Sequence, residues 1–288
     1  MALPFIPSDA GLLLLQAGVV AAPRPASPIR WLERIRGPAW ALVPIGSIVV
    51  VVFAIRYVSD TATGLTYLAL VAVPPLAAAA LAWAARGGHK GARRTLGGGL
   101  ITAILFAIAW ASHRSLAGGA AAALLSALSC VSLGVLLAAV APSGWLKLGI
   151  LAMAAADSWL VVSDLLQAPN AALIAAHPAG NLPQLQAELF GTATMGYGDL
   201  FVAGVLGAVL AADARLQRRA ALLTLVLAAL FDLLFLVVAE LPATVPVALA
   251  LIGLEAKARA GARRRRTGAR PEFGRGLVLP VRGGRRRS

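Results

Sequence analysis

One cysteine, Cys130, and three histidines, His89, His113 and His177, are all the thiol and imidazole side chains in 288 residues. A lone cysteine excludes an intramolecular disulfide, so nothing in the chain requires an oxidising compartment. The histidines form no His-Glu-x-x-His pattern and no Gly-x-Ser-x-Gly string is present, which removes the zinc-hydrolase and serine-nucleophile readings and leaves no expected metal or cofactor. Glycine clusters such as Gly97 to Gly99 follow no strand, so a nucleotide-binding loop is excluded as well. Charge is equally scarce. Asp, Glu, Lys and Arg make up 13% of residues against 59% hydrophobic ones, and mean hydropathy is +0.82, values that exclude an ordinary soluble domain.

What remains is apolar sequence in runs of membrane-crossing length. A hydrocarbon core about 30 Å thick takes roughly 20 residues of helix. Runs fall at 39–58, 62–85, 96–112, 118–140, 148–168, 189–212 and 220–239, with a shorter one at 241–254 and a weak one from Leu3 to Ala22. None has a regular polar face, so they read as spans rather than surface helices. The weak run lacks the basic residues that precede the apolar stretch of a signal peptide, and it is read as a first span. Pro74 and Pro75 are expected to kink the run that contains them. The fold predicted is an all-α polytopic bundle of eight or nine spans. Residues 1–38 form an N-terminal segment with a possible first span, 39–147 an N-terminal membrane half, 148–256 a second half, and 257–288 a basic tail expected to be disordered.

The charges that are present sort by side. There are 26 Lys and Arg against 12 acids, a net charge of +14. Arg24, Arg30, Arg34 and Arg36, then Arg86, Lys90, Arg93 and Arg94, then Lys147, then Arg215, Arg218 and Arg219 fall in alternate loops, Arg114 alone falls on the opposite side, and the loop 169–187 has no Lys or Arg. By the positive-inside rule that loop is outside and the tail, with Arg263 to Arg266 and Arg285 to Arg287, is cytoplasmic. Such a tail reads as a topology anchor, with the lipid bilayer rather than nucleic acid as its surroundings. A bacterial plasma membrane is the expected location.

Four acids interrupt the apolar runs: Asp157, Asp164, Asp199 and Asp232, with Glu240 at a boundary. An ionisable group within a span is costly and marks function by default. Asp157 and Asp199 lie near the middles of runs 148–168 and 189–212, so two antiparallel helices would bring them to equal depth. Asp164, seven residues on, shares a helix face with Asp157 and is the rival partner. Paired carboxylates divide the labour of peptide hydrolysis, one as base toward water and the other as acid toward the oxyanion and leaving amine. Asp232 lies near the centre of its run with no motif around it, as a structural or supporting acid.

The strings around these acids resemble a known family. Gly196-Tyr197-Gly198-Asp199, followed by Leu200-Phe201-Val202-Ala203-Gly204-Val205-Leu206, is similar to the Gly-x-Gly-Asp motif of the presenilin and signal-peptide-peptidase aspartyl proteases. Ala156-Asp157-Ser158-Trp159-Leu160-Val161-Val162 is similar to that family's Tyr-Asp-x-Phe-x-Val-Phe, and Leu241-Pro242-Ala243-Thr244 to its Pro-Ala-Leu. Ala156, Tyr197 and Thr244 depart from the family's tyrosine, leucine and leucine. The resemblance covers about residues 148–254. It implies an intramembrane endopeptidase with Asp157 and Asp199 catalytic, and with Gly196, Tyr197, Gly198, Leu241, Pro242 and Ala243 meeting a transmembrane peptide substrate. An outside loop between the two aspartate helices matches the signal-peptide-peptidase branch and implies type II substrates.

Two other readings stand beside it. Thr192-Ala193-Thr194-Met195-Gly196-Tyr197-Gly198-Asp199 also resembles a potassium-channel filter, but only 13 residues separate Asp199 from the charged cluster at Asp213, about 20 Å of helix where an inner helix needs about 30 Å. The third is a non-catalytic transporter or assembly factor whose aspartates serve as proton relays or interhelical hydrogen-bond partners.

Overall fold

In an apolar medium a chain must satisfy its backbone N–H and C=O groups internally, and the α-helix does so within a single segment. A computed structural model of the chain follows this rule. It describes residues 7–25, 34–57, 60–84, 91–165, 167–236 and 241–268. Among them are ten α-helices: α1 Pro7–Ala21, α2 Leu42–Tyr57, α3 Thr61–Ala84, α4 Gly91–Ala111, α5 Leu116–Val140, α6 Ser143–Val162, α7 Gln167–Ala175, α8 Tyr197–Leu210, α9 Ala214–Asp232 and α10 Thr244–Gly268. Every apolar run contains a helix. The architecture is all-α apart from one antiparallel hairpin, β1 Ala187–Phe190 with β2 Ala193–Gly196, whose register pairs Phe190 with Ala193 and Ala187 with Gly196. Its two-residue turn begins at Gly191, whose φ of 63° glycine adopts without steric cost.

Helices α3, α5 and α6 are long and apolar enough to cross a bilayer, which marks a membrane protein; α1, the stretch Leu96–Ala111 and α8 are apolar but shorter. Leu68, Val71, Leu100, Leu148, Trp159, Val162 and Leu222 lie exposed on the outside of the bundle. So much outward apolar surface is unfavourable in water and natural against lipid.

Three expectations change. Residues 189–212 are not one continuous helix: Gly191, Thr192, Thr194 and Gly196 are poor helix formers, the chain spends them on the hairpin, and the helix begins at Tyr197. Asp199 therefore sits in the first turn of α8 rather than midway along a span. The run 148–168 is shifted, because Pro142 starts the helix at the N-cap and Ser163, whose hydroxyl bonds the Trp159 carbonyl, ends it. Asp164 follows with φ 57°, a left-handed value that aspartate tolerates, so it leaves the helix and shares no face with Asp157. The tail expected to be disordered from 257 begins as helix, since Lys257, Ala258, Arg259 and Ala260 are strong helix formers and α10 carries on to Gly268. The remainder, 269–288, lies outside the described residues, as does Glu240. Pro74 and Pro75 are accommodated inside α3 as one helix, with Ser132 of α5 donating to the Leu76 carbonyl at 2.7 Å.

The helix that carries Asp199 is also the hub of the packing. It lies against α5, α1, α6, α9 and α10. Its crossing with α5 is close because both sides are glycine: a Cβ at Gly204 would lie 2.5 Å from the Cys130 carbonyl oxygen, and one at Gly134 would lie 2.4 Å from the Gly204 backbone. Small residues at a crossing let helix backbones approach where lipid offers no hydrophobic drive. On the other side, a Cβ at Gly207 would meet the Val20 carbonyl at 2.3 Å, and buried Gln217 of α9 reaches the carbonyls of Val20, Pro23 and Gly207 at 3.0, 2.8 and 3.2 Å. The weakly apolar first segment is thus built into the core.

Gly204→Val is expected to destabilise the detergent-solubilised protein by roughly 1–3 kcal/mol, the usual cost of overpacking. Gly253→Val, where a Cβ meets nothing within 4 Å, should leave the melting temperature unchanged. Equal melting curves for the two variants would mean that α5 and α8 do not cross at Gly204.

Candidate active site

Three helix segments distant in sequence deliver the polar groups of the site. Asp157 projects from α6, one turn beyond buried Met153. Asp199 is the third residue of α8. Thr244 is the first residue of α10, after a turn formed by Leu241, Pro242 and Ala243, and Pro246 falls in the first helical turn, where a missing N–H costs nothing. Helices α6, α8 and α10 pack against one another pairwise, so these three residues face a common region.

The geometry is tight around both acids. Thr244 Oγ1 donates to Asp157 Oδ2 at 2.7 Å. Asp199 Oδ2 accepts the Gly196 N–H at 3.0 Å, an N3 carboxylate reaching back to the N-cap amide as acidic residues do at helix starts. Asp157 and Asp199 lie within electrostatic reach of each other, and both are partly buried. Two carboxyls, each held by a donor at a helix start, thus lie within electrostatic reach of each other across the α6–α8 packing.

The remaining expected residues divide. Gly196 lies against the Asp199 carboxyl, and Gly198 has open space where a side chain would be. Tyr197 turns toward α5: its hydroxyl lies 2.6 Å from Ser129 Oγ. Since Ser129 spends its single hydrogen on the Ser126 carbonyl at 2.7 Å, the tyrosine is the donor of that pair. Its side chain anchors the start of α8 to α5, and its carbonyl accepts from Cys130 Sγ of α5 at 3.8 Å. Leu241, Pro242 and Ala243 are partly buried beside Thr244. Asp164 is exposed on its turn and Asp232 is buried at the end of α9. Among the described residues no three His, Cys, Asp or Glu gather as a metal site.

Three participants escaped the sequence reading. Thr244 stood only as a departure from Pro-Ala-Leu, yet it is the donor to Asp157. Ser129 carried no signal in a run of small residues. Gln16 did carry one, as the lone polar residue between Gly11 and Ala22: it is fully buried, and its Nε2 donates to the Ala243 carbonyl at 2.8 Å. A polar side chain that an apolar helix keeps in its interior has a partner to find.

The filter-like string does not adopt a filter's backbone. Ala193 to Gly196 are paired into the hairpin ladder and Tyr197 to Asp199 are helical, so their carbonyls are not aimed together at an ion. Compared with protein-family models, with curated proteins and with solved structures, the chain matches none.

The pairing of acids has a test that needs no activity. In a protein carrying Asp157→Cys and Asp199→Cys, a short bifunctional thiol-reactive cross-linker in native membranes should join the two positions in most molecules, as read by mass spectrometry of the digested chain. Asp164→Cys with Asp199→Cys should remain unlinked; the opposite pattern would refute the arrangement of α6 and α8.

Proposed function

We propose that this protein is an intramembrane aspartyl endopeptidase of the Gly-x-Gly-Asp kind, similar to the signal-peptide-peptidase branch, with Asp157 and Asp199 as its catalytic pair. The observation that carries the reading is convergence. Motifs 42 and 43 residues apart in the chain, around Asp157, Asp199 and Pro242, come together: the two carboxyls are within electrostatic reach, and Thr244 beside the third motif donates to one of them. In this reading α1 to α6 and α8 to α10 are nine spans, α7 and the hairpin belong to the outside loop, and the C-terminus is cytoplasmic in the plasma membrane of a bacterium. The charge asymmetry of the loops supports that orientation.

The chemistry follows from the placement of the donors. Two carboxyls at short range in an apolar surrounding share one proton between them. Asp157, to which the Thr244 hydroxyl donates, acts as the ionised member, and it accepts a proton from a water set between the acids. That water attacks the scissile carbonyl. Asp199 supplies a hydrogen bond to the developing oxyanion and then a proton to the leaving amine, and the pair returns to its starting state.

A helical substrate must expose its peptide bond before this can occur. β2 ends three residues before Asp199, and an extended peptide can add to a strand edge through main-chain hydrogen bonds. The open space at Gly198 lets a substrate backbone approach the acid closely. A type II transmembrane segment, N-terminus inside, is the substrate class this orientation fits.

With a type II transmembrane peptide in detergent, Asp157→Asn and Asp199→Asn should each lower turnover by at least about a thousandfold. Combined they should lose no more than either alone, because members of a catalytic pair act as a unit. Asp164→Asn should keep most activity. Full turnover in either of the first two variants would remove the protease reading; a barium-blocked potassium flux in liposomes would restore the channel in its place.

A further inference from the structure

Gln16 has no place in the chemistry above, yet it is the polar residue most deeply built into the bundle's first helix. It is 0% exposed, it lies in a segment otherwise made of Leu, Val, Ala and Gly, and it reaches across 227 residues of sequence to Ala243. As a core residue it is a poor choice. An amide buried with incomplete hydrogen bonding is destabilising, and Oε1 of Gln16 has no hydrogen-bond partner among the described residues. Leucine or methionine would fill the same volume without that cost.

The bond that Gln16 does make lands on a particular peptide unit. Ala243 C=O and Thr244 N–H belong to one planar group, and in a trans peptide they point in opposite directions. The carbonyl end is held by Gln16 from α1, and the residue that follows it in the plane, Thr244, donates its hydroxyl to Asp157 on α6 at 2.7 Å. Fixing one end of a rigid plane fixes the other, and with it the Cα from which the Thr244 side chain projects. The Thr244 hydroxyl rides on the same residue.

We propose that Gln16 is a positioning residue: it sets the Ala243–Thr244 peptide plane so that the hydroxyl of Thr244 holds the Asp157 carboxyl on the side of Asp199. The proposal rests on the protease reading for its consequence in turnover, while its geometric part stands apart from that reading. It makes α1 a component of the active site.

The test uses the full chain in detergent. Gln16→Met, which keeps length and volume but removes the donor, should lower kcat on the type II peptide by on the order of tenfold to a hundredfold, the scale of a misplaced catalytic group, with KM within about twofold. Thr244→Pro removes the amide hydrogen and the hydroxyl together at the first helical position, where proline fits. Adding Gln16→Met to it should cause no further loss. Wild-type kcat in Gln16→Met, or a double variant whose loss is the product of the single losses, would overturn the proposal. Hydrogen exchange gives a readout independent of turnover. The Thr244 amide should exchange at least tenfold faster in Gln16→Met while the rest of α10 is unchanged, and unchanged exchange at Thr244 would overturn the proposal. A wild-type protein that cuts nothing, with exchange at Thr244 raised in the variant, would end the protease reading and leave the role of Gln16 intact.

Discussion

A carboxyl inside an apolar bundle is tolerated only where the protein supplies what water would have supplied, and much of this structure is arranged around that demand. Asp157 and Asp199 each have a donor from a helix start: Thr244 at the opening of α10 and Gly196 at the opening of α8. Helix starts are the one part of a helix with unspent N–H groups. Bringing two of them to one place fixes where α8 and α10 begin, and hence the breaks in the chain just before them. The hairpin before Tyr197 and the proline-containing turn before Thr244 are those breaks.

Holding the breaks in register requires close packing around α8. The glycine crossing with α5, the approach of α1 at Gly207 and the Gln217 amide across three carbonyls fix the helix along its length. The Tyr197 hydroxyl on Ser129 fixes its first residue, and with it the depth of Asp199 two residues later. Gly204, which belongs to the apolar stretch after the aspartate, has its explanation in backbone contact with Cys130 rather than in chemistry. The same helix thus combines a rigid packing face with an open position at Gly198 next to the acid.

Much of this was legible in the sequence, and the misses have physical causes. Apolar runs located the helices because length and composition decide membrane-crossing segments. Asp157 and Asp199 stood out from position along the runs, and they lie within electrostatic reach of each other, but Asp199 starts a helix and does not interrupt one. Periodicity cannot separate Leu189 to Gly196 as strand from the same residues as helix, since both are apolar; the glycines and threonines that decide it act through backbone preference. Asp164 was misplaced for a similar reason, because a helix end set by Pro142 at one side and Ser163 at the other leaves no mark in hydropathy. Thr244 and Gln16 were visible as exceptions to a pattern, but what they exempt themselves for depends on contacts 87 and 227 residues away.

Everything functional in this account depends on water being delivered to a peptide bond between the two aspartates. The direct measurement is mass spectrometry of a type II transmembrane peptide incubated with the purified protein in water enriched in oxygen-18. The account predicts a new C-terminus inside the apolar segment of the peptide, carrying a single heavy oxygen after one turnover. A peptide that stays intact, or one cut only in its soluble flanks, would contradict it.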